Sequence, residues 1–428
     1  MDRQIPSSPS FDQLDHKSEE KGYTLPGKPF NLFSTLPYYS FYLLYILGFI
    51  SVRIDSNPYW INAIVYVGIP LLDFLAPNDW LNPDPEQYKI LMEQNFWFKV
   101  PLWGLVLLEP LSFFYAMYHL TFAEVPLIFY PGAIFIIGTV AGHHFLVAHE
   151  IFHKHEKLDK IVGTLAVMKS LYMHFYIEHN HGHHKNLCTP QDPATARYGE
   201  SIYQFLPRTI IGSYKSAWNI EKKRLITMKG HKTHWVPQNK MIWFTASYFI
   251  IPVIVFFFLG MKGLLFYLVH VLISIMVFET VNYIEHYGLV RKKIGPNEYE
   301  KVGIEHSWNA PQRFSNYVLF KLQRHSDHHA NSYKPYQTLL SNEKSPMLPH
   351  GYLLCLILSY FPKIWFRMMD RVILAFRQGR ELTEDEKREN KKDTYYVFSV
   401  LSLIFSTLFV LTIFINKQHF KTTAAIEK

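Results

Sequence analysis

Residues 125–153 read VPLIFYPGAIFIIGTVAGHHFLVAHEIFH. The apolar part, Val125–Ala148, is long enough to cross a bilayer as helix, and it passes without a breaker into His149-Glu150-Ile151-Phe152-His153. If the helix continues past the membrane surface, His149 and His153 share one face, because residues four apart are neighbours there. Such a pair can bind one ion, with Glu150 turned away from it. One stretch therefore predicts a membrane span and the beginning of a metal site at its end.

Both signals recur. Six further apolar runs, Leu36–Ser51, Tyr59–Leu75, Val100–Tyr118, Met241–Leu259, Leu264–Tyr283 and Tyr395–Ile415, approach spanning length. Of the 428 residues 49% are hydrophobic, 17% aromatic and only 18% charged, a balance unlike that of a soluble protein. Three more histidine groups follow the first: His179, His183 and His184 in Glu178–Lys185; His286 at the end of the run closing at Tyr283; and His325, His328 and His329 in Leu322–His329. The step from His179 to His183 repeats the spacing of four and pairs them, leaving His184 to reach a second ion. The last group offers steps of three and four with another adjacent pair.

Nine histidines exceed the ligands of a single metal, so two ions are predicted. A lone histidine is usually a packed or exposed polar residue, and one His-x-x-x-His pair is ambiguous. What separates these nine is their clustering on one predicted membrane face. His143, His144, His155, His174, His181 and His306 lie close by without the spacing and read as supporting or structural residues. Glu150, Glu178, Glu285 and Asp327 each adjoin a proposed ligand, which makes them candidates for the outer bonds that orient metal-bound imidazoles. Imidazole suits iron, zinc, copper and nickel alike, and spacing does not choose among them.

Between Glu150 and Lys240 stand 14 Lys or Arg against 7 Asp or Glu, and 287–393 is similarly basic. Basic segments stay in the cytoplasm, so both histidine-rich segments, and the N-terminus, are expected there. The net charge of +8 follows from this bias and from lipid headgroups, and nucleic acid is not required as a partner. Two cysteines, Cys188 and Cys355, exclude a disulfide framework and a four-thiolate cluster within the chain. Met1–Lys28 is polar and lacks a signal-peptide run, so it reads as a disordered, uncleaved tail.

The clusters resemble the three histidine boxes of membrane desaturases and hydroxylases, and more closely those of the alkane 1-monooxygenase family. The similarity rests on His149–Lys154, Glu178–His184, Asn282–Leu289 and Leu322–Ala330, with Thr189–Ala194, Gly199–Ser201, His306–Asn309 and Tyr336–Leu339 between and after them. It runs from about residue 36 to about residue 375. The His286 motif is the part that distinguishes alkane hydroxylases from desaturases.

The resemblance implies an all-α integral membrane protein: a bundle of six transmembrane helices under a cytoplasmic histidine-rich helical cap. It implies two non-haem irons held by His149, His153, His179, His183, His184, His286, His325, His328 and His329. It further implies O₂ and an n-alkane as substrates, a 1-alkanol as product, and electrons from rubredoxin reduced by an NAD(P)H-dependent reductase. The expected organisation is a polar tail over 1–35, a hydroxylase domain over 36–375 with its cytoplasmic segments at 149–240 and 286–375, a charged linker over 376–394, and a seventh, C-terminal transmembrane helix with a tail over 395–428. That last helix and the polar tail depart from the family pattern. Val65, His143 and His144 are expected to border a substrate tunnel. Glu109, His119, His270 and Glu279 are further polar groups within or beside apolar runs, where charge is costly and function is the default reading.

Three rival readings account for fewer of these features. His149-Glu150-x-x-His153 fits a zinc protease with Glu150 as base, but that leaves at least six clustered histidines without a role. A fatty acyl or lipid desaturase or hydroxylase shares eight of the nine histidines and lacks the His286 motif. A metal transporter would place its ligands at the membrane midplane, not at one surface.

Overall fold

The computed structural model describes residues 24–25, 30–52, 57–154, 156–296 and 298–426. Most of the tail expected over Met1–Lys28, and His155, lie outside them. The apolar runs become helix close to their expected bounds: α1 (Leu32–Ser51), α2 (Tyr59–Leu75), α3 (Asn95–Phe122) and α4 (Phe129–Phe152). After α4 come α5 (Lys157–Met168), α6 (175–186), α7 (Ile202–Lys223) and α8 (Lys240–His286). The chain closes with α9 (His325–Ala330), α10 (Tyr352–Ser359), α11 (Pro362–Arg377) and α12 (Glu384–Ile426). Among the described residues α1, α3, α4, α8 and α12 are long and apolar enough to cross a membrane, and α2 is a shorter apolar helix. The only strands there are the two-residue pair Thr24–Leu25 and Asn82–Pro83.

Helix α8 has 47 residues, more than twice the ~20 that span a bilayer. Gly260, at φ 63° and ψ −169°, breaks it into two arms, a backbone that glycine adopts without a Cβ penalty. Ile251, Val255 and Leu259 of the first arm pack with Tyr267 and Val271 of the second, so the helix folds back on itself. Its two ends meet the same histidine-rich region: Lys240 Nζ lies 4.6 Å from the Tyr176 ring centroid, and His286 ends the second arm. The expected runs Met241–Leu259 and Leu264–Tyr283 are these two arms.

The second arm runs against α4, and two glycines explain why. A Cβ on Gly138 would sit 2.6 Å from Ile273 Cγ2, and one on Gly142 would sit 2.7 Å from Val277 Cβ and 3.1 Å from Ser274 O. Small residues four apart let two helix backbones approach closely. Every residue from Ala141 to Phe152 is buried as a result, which puts the histidine-bearing end of α4 at the centre of the molecule. Gly142→Val is expected to destabilise the protein by about 1–3 kcal/mol through overpacking, read as a lowered midpoint of thermal unfolding in detergent.

Glu109 of α3 and His144 of α4 share partners. Lys169 Nζ lies 2.8 Å from Glu109 Oε2, and His144 Nδ1 lies 3.5 Å from the same oxygen. Tyr45 Oη lies 3.3 Å from His144 Nδ1. Glu109 and His144 thus belong to one polar cluster with Lys169 and Tyr45. Lys169→Met strands the Glu109 carboxylate and is expected to cost about 3–5 kcal/mol. Glu109→Gln combined with Lys169→Met is expected to recover most of that loss in the same unfolding measurement.

The linker expected over 376–394 is helix from Glu384 onward. Glu384, Asp385 and Glu386 occupy the first turn of α12, where negative charge suits the helix dipole. Arg380 NH1 pairs with Glu386 Oε2 at 2.8 Å, and Arg367 of α11 pairs with Asp393. The charges read as linker residues therefore dock the helix start.

Candidate metal centre

Four segments deliver the nine histidines to one buried region. His149 and His153 come from the end of α4, His179, His183 and His184 from α6, His286 from the end of α8, and His325, His328 and His329 from α9. They divide into a group of five, His149, His153, His179, His184 and His328, and a group of four, His183, His286, His325 and His329. In each group one nitrogen per histidine lies within 4.8 Å of the others.

This division corrects the expected pairing of His179 with His183. It is His184 that joins His179, while His183 turns to the second group. The cause is local: His179–His183 forms a π-helical turn. Bonding from i to i+5 brings residues five apart into register, and such turns are frequent at functional sites. His325 and His329 keep the ordinary step of four and stay together, and His328 crosses to the first group.

The nitrogens are arranged as ligands for ions. His179 Nε2 is 3.0 Å from His184 Nε2 and 3.3 Å from His153 Nε2. His325 Nε2 is 2.9 Å from His329 Nε2 and 3.3 Å from His286 Nε2. His149, His183 and His328 each bury an Nε2 that has no hydrogen-bond partner. Buried polar atoms are otherwise almost always satisfied, so convergent, orphaned imidazole nitrogens fit a metal in each group.

Burial, followed by the neighbouring imidazoles, holds His179, His184, His328 and His329 well below the usual histidine range. Burial and then Lys154 lower His153 to about 3. The neutral imidazole is the form that ligates metal.

Outer contacts fall partly on unexpected residues. His183 Nδ1 donates to Asp192 Oδ2 at 2.9 Å, and that carboxylate also accepts from Thr195 Oγ1 at 2.5 Å and Ala194 N at 3.0 Å. Burial alone would raise the Asp192 carboxyl, but His183 and these donors hold it below its ordinary value. Asp192 was visible in the sequence only as part of Thr189–Ala194, nine residues beyond His183, with nothing to mark it as the orienting acid. His286 Nδ1 faces the His306 carbonyl at 3.3 Å, so His306 supports the ninth histidine through its backbone.

The four acids singled out by adjacency do other work. Glu150 Oε1 accepts from Lys154 Nζ at 2.5 Å and from Tyr336 N at 3.3 Å, tying α4 to a loop. Asp327 accepts from Lys334 Nζ, Asn331 Nδ2 and Leu340 N, which fixes the segment after α9. Ser216 Oγ lies 3.4 Å from Glu178 Oε1, and burial, then Asp192 and Glu279, push the Glu178 carboxyl well up. Glu285 Oε2 lies 3.3 Å from His325 Nε2, on the nitrogen that faces the group of four. None of the four is bonded to the outer nitrogen of a proposed ligand in the described contacts.

An apolar cavity of about 50 Å³ is lined among others by Val65, His143, Leu146, Val281 and Leu319. Leu146 precedes His149 by about one turn, and Val281 lies on the same arm of α8 that ends in His286, so the cavity borders the two helices that carry a histidine from each group. His143 and Val65 line it, with His143 Nε2 2.8 Å from Val318 O.

Comparison with known proteins agrees with this arrangement. The fatty acid desaturase family model matches residues 125–355, which contain all nine histidines. An alkane 1-monooxygenase of Acinetobacter baylyi is 38% identical over 72% of this chain and 75% of its own length. Alkane 1-monooxygenase 2 of Alcanivorax borkumensis is 33% identical over 80% and 91%, and alkane 1-monooxygenase 1 of Pseudomonas aeruginosa is 36% identical over 74% and 83%. With long apolar helices around two all-histidine groups, and with identity of this extent, the chain belongs to the alkane 1-monooxygenase family, within the fatty acid desaturase group, and is an oxidoreductase of the monooxygenase class.

Proposed function

We propose that this enzyme hydroxylates the terminal methyl group of n-alkanes to 1-alkanols with O₂, using two non-haem irons, one in each histidine group. The observation that carries the reading is the pairing of nine convergent imidazoles with an apolar cavity whose wall includes Leu146, about one helical turn before His149. Six membrane-crossing helices, counting the two arms of α8 separately, would hold the site on the cytoplasmic face, with α12 as a seventh. Electrons would come from rubredoxin and its NAD(P)H-dependent reductase, since the chain has too few cysteines for an iron–sulfur centre of its own.

A terminal C–H bond offers no polar handle, and acid–base side chains alone do not activate it. When bound, the irons supply the oxidising power through O₂, with one oxygen atom entering the methyl group and the other leaving as water. The chain's own residues bind, aim and exclude. Asp192 and the His306 carbonyl hold two imidazoles at fixed angles. Val65, Leu146 and Val281 present methyl-lined walls that position an alkyl chain and exclude water from the reacting end.

Val65 is buried and faces the cavity. Val65→Trp is therefore expected to shift the preferred substrate to shorter alkanes. An unchanged chain-length profile would remove Val65 from the tunnel.

The decisive experiment uses the protein purified with lipid. Metals per chain are counted, and reduced rubredoxin, O₂ and an alkane series are supplied. Two irons and 1-alkanol as product support the reading; one zinc with no O₂ uptake would falsify it. The match to the fatty acid desaturase family favours one alternative, oxidation of an acyl chain, which the same assay tests with acyl lipids in place of alkanes. A zinc protease is disfavoured because Glu150 is engaged by Lys154 and Tyr336 N, and because all nine histidines belong to the two groups.

A further inference from the structure

A second apolar chamber adjoins the first. It measures about 230 Å³, against about 50 Å³ for the inner one, and its lining is almost wholly apolar. Tyr66, Val277 and Leu356 line both, so the two spaces share one wall. Leu401 and Phe405 of α12 line the outer one.

Tyr66 stands in the shared wall. Its hydroxyl lies 2.6 Å from Thr139 Oγ1, and its ring lies parallel to that of Phe405, with centroids 6.5 Å apart and an interplanar angle of 9°. Residues Ile64–Gly68 form a π-helical turn, and the neighbouring Val65 and Tyr66 are both buried and both line the inner cavity. The turn allows one residue to face the reacting end while the next reaches the outer chamber.

Helix α12 is pinned across this space at both ends. His350 Nε2 lies 2.7 Å from Thr394 Oγ1, and Arg367 pairs with Asp393 at the start of the apolar part. Farther along, Asn57 Nδ2 donates to Phe409 O at 2.9 Å. A helix serving only as an anchor needs no such fixed register against the catalytic bundle.

We infer that α12 is part of the substrate site: Leu401 and Phe405 wall the chamber that receives the distal end of a long alkyl chain whose terminal methyl lies in the inner cavity. The inner cavity alone is small, so a short alkane uses little beyond it. A long alkane must pass Tyr66 and lie against α12, where its methylenes meet an apolar wall instead of ending at closed protein. The inference rests on the alkane-hydroxylase reading and extends it to the helix that the family resemblance left without a role.

The test compares octane with hexadecane oxidation by the full-length, iron-loaded enzyme. Phe405→Trp and Leu401→Trp fill the outer chamber and are each expected to lower the hexadecane-to-octane rate ratio by roughly 10-fold, with octane turnover retained. Leu403→Trp is the control, because Leu403 is 69% exposed on the same helix and does not line the chamber. A second measurement needs no turnover: a long-chain alkyl diazirine is photolysed with the wild-type protein, and labelled residues are located by mass spectrometry.

Labelling of Leu401 or Phe405 that hexadecane suppresses and octane does not is the expected result. Labelling indifferent to hexadecane would mean that the chamber holds membrane lipid, and would overturn the inference. An unchanged rate ratio in both variants, or an equal change in Leu403→Trp, would overturn it as well. Failure of the wild type to oxidise any alkane would instead overturn the functional reading on which the inference rests.

Discussion

His286→Ala is expected to lose the ion of the four-histidine group and to lower alkane oxidation by more than about 100-fold, beyond the range seen when only an outer contact is removed. The reason is geometric. The group contains His183, His286, His325 and His329 and no fifth imidazole. Removing one ligand leaves three, while Glu285 Oε2, 3.3 Å from His325 Nε2, offers a carboxyl oxygen and no imidazole nitrogen. His181→Ala is the matched comparison. His181 sits in the segment that carries His179, His183 and His184 but is exposed and belongs to neither group, so metal content and rate are expected to stay near wild type. Both are measured on protein in lipid, as metal per chain and as turnover with reduced rubredoxin. Equal losses in the two variants would show that the assignment of ligands is wrong.

Asp192→Ala is expected to weaken metal retention or activity by about 10- to 100-fold, the usual consequence of losing the acid that orients a ligating histidine. Asp192 is buried, binds His183 Nδ1, and is itself held by Thr195 and Ala194. Without it, His183 loses the bond that fixes its tautomer and ring plane. Asp192→Asn keeps an acceptor of the same shape and removes the charge, so it is expected to fall between wild type and alanine. Retention is read as the rate of iron loss to a chelator, which a change in folding stability alone would not grade in this order. If alanine holds iron as tightly as wild type, Asp192 is not the residue that orients His183.

The histidines were legible in the sequence because their signal is local. Pairs four apart, adjacent pairs and apolar runs ending in histidine are all readable within a few residues, and all nine proposed ligands reach the two groups. The partition between the groups was not legible. An α-helical period pairs His179 with His183, and only the π turn over His179–His183 shows that His184 is the partner. Backbone bonding of that kind is set by packing around the segment, which composition does not reveal.

The outer contacts of the ligands follow a related rule. Adjacency in sequence nominated Glu150, Glu178, Glu285 and Asp327, yet the neighbour of a helical ligand points about 100° away from it around the helix axis. The acid that reaches an outer nitrogen arrives from a separate loop, as Asp192 does. His143 and His144 illustrate the same rule within α4. One lines the cavity, and the other turns to Glu109 and Lys169.

By itself, then, the sequence determined the helical membrane class, the positions of the apolar runs and the identity of the nine candidate ligands. These depend on transfer energies and on periodicities shorter than two helical turns. Tertiary structure alone decided the division into five and four, the choice of Asp192 as an orienting acid, the shared wall of the two chambers at Tyr66 and the docking of α12 against the second. Each of those joins side chains from segments far apart in the chain, brought together by the close approach of α4 to α8 at Gly138 and Gly142 and by the fold-back at Gly260.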